Sequence, residues 1–66
     1  MVKLNRKIYV REAIEQAIKD YKGLAGFRLS EKGKYYLISI KPKENGTQDV
    51  IEREFCNYIL SLEKGM

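Results

Sequence analysis

Along this chain the spacing of apolar residues switches between two periods, and each switch closes one element and opens the next. From Val2 to Val10 the pattern alternates, with Val2, Leu4, Ile8 and Val10 on one side and Lys3, Asn5, Lys7 and Tyr9 on the other. Arg6 is the one violation. Alternation of this kind predicts a strand with one buried and one solvated face. Ala13, Ile14, Ala17, Ile18 and Tyr21 then recur at helical spacing, opposite Arg11, Glu12, Glu15, Gln16, Lys19 and Asp20. Glu15 and Lys19 form an i,i+4 pair of favourable orientation. Gly23 is placed to cap the helix, whereas Val10 and Arg11 offer no N-cap side chain.

Phe27-Arg28-Leu29-Ser30 alternates again, and Glu31-Lys32-Gly33-Lys34 supplies a tight turn with Gly33 able to take positive φ. Tyr35 to Lys41 returns as the second strand of a hairpin. Tyr36, Ile38 and Ile40 lie on one face, and Tyr35, Leu37, Ser39 and Lys41 on the other. Pro42 ends the strand. Thr47 is a good N-cap for a last helix whose apolar stripe is Val50, Ile51, Phe55, Tyr58, Ile59 and Leu62, with Gly65 at the C-terminal cap.

The expected fold is α+β in the order β-α-β-β-α. A right-handed crossover after the first strand gives a three-stranded antiparallel sheet of order 1-3-2 with both helices on one face, a truncated ferredoxin-like unit. Sixty-six residues hold one domain, residues 1–66, and no second. In that arrangement the first strand is a free edge and one sheet face stays open.

The residue inventory limits the chemistry. The chain has no His and a single Cys, Cys56, which excludes an internal disulfide, a Cys/His zinc site and Ser–His or Cys–His nucleophile pairs. Acids, lysines and tyrosines remain, but so short a chain hardly encloses a dry pocket around them. The expectation is a protein that is not an enzyme and needs no cofactor or metal. The apolar runs are too short for a transmembrane helix and the first residues do not form a secretory signal, so cytoplasmic residence is the default.

Three surfaces are candidates for function. The first is the free edge with Lys3, Asn5, Lys7 and Tyr9, which could accept a peptide strand or a second copy of the chain. Its charges serve equally to guard an edge against aggregation. A second is the outer side of the last helix, where Cys56 and Leu60 stand one turn apart on an otherwise polar face. The third is the open sheet face with Lys7, Tyr9, Arg28, Tyr35, Leu37 and Lys41. Cations interleaved with aromatics suit single-stranded RNA or DNA, and the net charge of +4 is compatible with it. The same residue types are ordinary on a solvated sheet. Gly23-Leu24-Ala25-Gly26 matches the G-x-x-G string of KH domains, but it joins a helix to a strand and its middle pair is apolar, so it reads as a helix end.

Tyr9-Val10-Arg11-Glu12-Ala13-Ile14, Ile40-Lys41-Pro42-Lys43 and Glu54-Phe55-Cys56-Asn57-Tyr58-Ile59-Leu60 follow one another in an order and spacing that resembles HxsD-like proteins. The resemblance spans residues 5 to 62. It departs from the family at Val10, where members often carry Ser, and members tend to continue past the last helix. The resemblance implies an accessory role in a His-Xaa-Ser peptide-maturation system, with radical SAM proteins doing the chemistry, and carries over no catalytic residue.

Overall fold

A computed structural model describes residues 2–65. The elements are β1 (Val2–Asn5), α1 (Arg11–Tyr21), β2 (Ala25–Lys32), β3 (Tyr35–Pro42) and α2 (Gln48–Lys64), in the expected β-α-β-β-α order. The sheet is antiparallel throughout, in the order β1-β3-β2. Gly33, at φ +60°, makes the two-residue turn that pairs Lys32 with Tyr35 and so sets the hairpin register. From there Ser30 stands opposite Leu37, and Arg28 opposite Ser39. On the other side of β3, Val2 meets Ile38 and Leu4 meets Tyr36.

This register collects one apolar face. Val2, Leu4, Tyr36, Ile38 and Ile40 are buried on the sheet, against Ala13, Ile14 and Ala17 of α1 and Ile51, Phe55 and Ile59 of α2. The two alanines let α1 approach α2 closely. Phe55 sits fully buried where the layers meet, its ring stacked 4.8 Å from Phe27 and edge-on to Tyr21 at 5.8 Å. Burying a ring of this size stabilises by roughly 2–3 kcal/mol. Among the described residues no helix is long and apolar enough to cross a membrane.

Several local expectations are corrected. The alternation to Val10 does not make a strand to Val10, because β1 stops at Asn5. The Asn5 side chain accepts the Lys7 amide, and its carbonyl accepts the amides of Ile8 and Tyr9, which turns the chain out of the sheet. Ile8 and Val10, expected inside, are therefore exposed. Val50 is exposed too, at 50%, and drops out of the α2 stripe. Among the described residues positive φ occurs at Gly33 and Gly46, so Gly23 does not cap α1 in the left-handed region. Lys22 is the cap residue there, in right-handed helical geometry. Gly65 is the C-cap of α2, as expected, and its amide donates to the Leu62 carbonyl. Thr47 occupies the N-cap position of α2, but its hydroxyl donates back to the Glu44 carbonyl instead of capping the helix. Glu15, expected to pair with Lys19, accepts from Arg11 Nε at 2.8 Å. β2 begins two residues earlier and ends two later than the Phe27–Ser30 run suggested.

Candidate functional site

Two hydrogen bonds determine which backbone groups the sheet leaves open. The Arg6 amide donates to the Lys34 carbonyl at 2.9 Å, and the Lys43 amide donates to the Leu24 carbonyl at 3.2 Å. In an antiparallel ladder alternate residues bond to one neighbour and the residues between them face the other way. The first bond therefore turns the even-numbered residues of β3 toward β1. The second turns the even-numbered residues of β2 inward to β3. Ala25, Phe27, Leu29 and Glu31 are left with their N–H and C=O groups aimed outward along the edge of β2, which among the described residues pairs with β3 alone.

The two edges are unequal. β1 has four residues against the eight of β2. Of the outward pair Lys3 and Asn5, the Asn5 carbonyl is already taken by Ile8 and Tyr9. β1 is an edge strand, as expected from the sequence, but it is short and one of its outward carbonyls is taken by its own turn. The long open edge is β2.

Side chains alternate with the backbone. On the helix side of β2 lie Ala25, Phe27, Leu29 and Glu31; Phe27 and Leu29 are partly buried against the core. Glu31 accepts from Arg11 Nη1 and lies 4.0 Å from Arg6 Nη1. The open face carries Lys3 and Lys32 beside Tyr35 and Leu37, with Arg28 and Lys41 farther along it beside Ser39. Among the described strand residues that the register places on it, none is a carboxylate. Lys3 Nζ sits 4.1 Å over the Tyr35 ring, and Lys3, Lys32, Tyr35 and Leu37 line one shallow depression. A second depression is lined by Gly26, Phe27, Arg28, Ser39 and Lys41.

The expected site residues are therefore redistributed. Lys3, Arg28, Tyr35 and Lys41 share the open face, and Asn5 ends β1 at its rim. Lys7 and Tyr9 belong to the turn after β1 and to no strand, so they join neither the edge nor the open face. Lys32, read from the sequence as part of a turn, is the added member of the face. Cys56 is half-buried and packs against the core, while Leu60 is exposed. Burial, aided by the Glu52 carboxylate, pushes the Cys56 thiol above its ordinary pKa. That opposes the thiolate a reactive cysteine requires.

No family model, curated protein or solved structure matches the chain.

Proposed function

We propose that this protein is a non-enzymatic interaction module that takes an extended segment of a peptide or partner protein as an added strand. The observation that carries this reading is the outer edge of β2, where four consecutive outward residues offer a regular row of donors and acceptors. Main-chain bonds of that kind give affinity with little dependence on sequence, and the flanking side chains add selectivity. Through the resemblance to HxsD-like proteins, the proposed setting is cytoplasmic peptide maturation. There the module would present a peptide to radical SAM partners.

The test is an NMR titration of ¹⁵N-labelled chain with ten-residue, strand-forming peptides of varied charge. Amides 25–32 should shift first and most. If no peptide moves any of them, the reading fails.

A second reading has its own observation. Lys3 and Lys32 flank Tyr35, Arg28 and Lys41 lie farther along the same face, and none of the described strand residues on it is a carboxylate, an arrangement compatible with single-stranded RNA or DNA. It requires affinity that falls steeply with salt and weakens in Tyr35→Ala. Salt-independent affinity, or none, removes it.

A further inference from the structure

Resting on strand addition at β2, we infer that the segment accepted there is acidic and amphipathic. It carries two carboxylates four residues apart, and the one facing Arg28 is flanked on both sides by apolar residues. The pattern follows from the side chains that such a strand would meet. On the open face its alternate residues would lie beside Arg28, Ser30 and Lys32. Residues directly opposite in a strand pair stand about 5 Å apart, and opposite charges at that spacing are favourable. Carboxylates beside Arg28 and Lys32 would find cations with no competing acid among the described strand residues of the face. The intervening residues would point to the helix side, against Phe27 and Leu29, whose edges the core leaves partly exposed. Beside Glu31 the added strand would need a neutral or basic residue, since that carboxylate already belongs to Arg11 and Arg6.

The same charges argue against a second copy of the chain as occupant. Any antiparallel pairing of two β2 strands that keeps Phe27 and Leu29 on one side puts both copies' Arg28 and Lys32 on the other. Four cations would then crowd one face of the ladder, with Lys41 of each copy close by. Like charges set opposite one another are a device by which edges avoid self-pairing. The edge is closed to its own kind and open to the opposite charge.

The experiment measures fluorescence anisotropy with the full chain and three labelled probes. One is a ten-residue peptide with the inferred pattern, one is its Glu→Lys counterpart, and one is an oligo-uridine octamer. The acidic peptide should bind at least about tenfold more tightly than the basic one, the scale expected of two exposed charge pairs plus avoided repulsion. The exposed double variant Arg28→Glu/Lys32→Glu should invert that order. The neutral variant Arg28→Gln/Lys32→Gln should level the two peptides, which separates charge selection from any misfolding of the reversed form. Equal binding of both peptides by the natural chain overturns the acidic pattern while leaving strand addition intact. Binding of the octamer in preference to every peptide overturns it in favour of the nucleic-acid reading. Failure of all peptides removes strand addition itself.

Discussion

The amide of Val10 donates to Glu63 Oε1 at 2.6 Å, joining the residue before α1 to the last turn of α2 across 53 positions. In a capping box a glutamate at the third helical position bonds the N-cap amide. α1 has Ala13 there, and Val10 provides no side-chain cap. A carboxylate from the other helix fills the role, beside a helix N-terminus that favours negative charge. Glu63→Ala should therefore destabilise the fold by about 1 kcal/mol. Val10→Ser should stabilise it by about 1 kcal/mol, because a serine hydroxyl caps donors deeper in the first turn. Urea unfolding of the two single variants and the double should give nearly additive effects. If Glu63→Ala leaves the midpoint unchanged, the bond contributes nothing.

Phe55 and Val50 lie in the same helix and were expected on the same stripe, yet one is fully buried and the other half exposed. Phe55→Ala should remove roughly 3–5 kcal/mol. A domain of this size holds about that much in total, so the variant should be largely unfolded by circular dichroism at 25 °C. Val50→Ala should stay within about 0.5 kcal/mol of the parent. Comparable losses at the two positions would contradict the packing.

The raised pKa of Cys56 has a direct chemical consequence. Alkylation by iodoacetamide at pH 7.5 should be at least about tenfold slower in the native chain than in urea, since the thiolate is the reactive form. The native rate should climb with pH over a more alkaline range than an ordinary thiol. Equal rates in the native and unfolded chains would mean that the thiol is neither shielded nor shifted.

Tyr58 Oη donates to Asp20 Oδ2, linking α2 to α1. That bond raises the phenol pKa, with desolvation and the neighbouring charge of Asp20 adding to it. A folded pKa above the unfolded value means that the contribution is complete below about pH 10 and is lost as pH rises through the folded value. Tyr58→Phe should be less stable than the parent at pH 8, and the gap should close above pH 10. A gap unchanged from pH 8 to pH 11 would show that the bond does not couple to folding.

Periodicity carried the architecture because the core is built from it. Ile14, Ile38 and Phe55 repeat at the spacings their elements demand, and all three are fully buried. It misled at Ile8 and Val10, which keep the strand rhythm after Asn5 has bent the backbone away with bonds that leave no apolar trace. The open edge was harder still to read. Whether Phe27 or Arg28 turns its amide outward depends on the pairings of Arg6 with Lys34 and Leu24 with Lys43, residues far apart in sequence. Lys32 joins the open face for the same reason: the register, and not its own neighbourhood, puts it there.

Amide hydrogen exchange along β2 tests the account most directly. In the free, dilute protein the amides of Phe27, Leu29 and Glu31 should exchange quickly while those of Arg28, Ser30 and Lys32 are protected, an alternation set by the ladder. Saturation with the acidic amphipathic peptide should slow the first set to match the second. Uniform protection in the free chain, or alternation that survives saturation, would contradict an open β2 edge that takes an added strand.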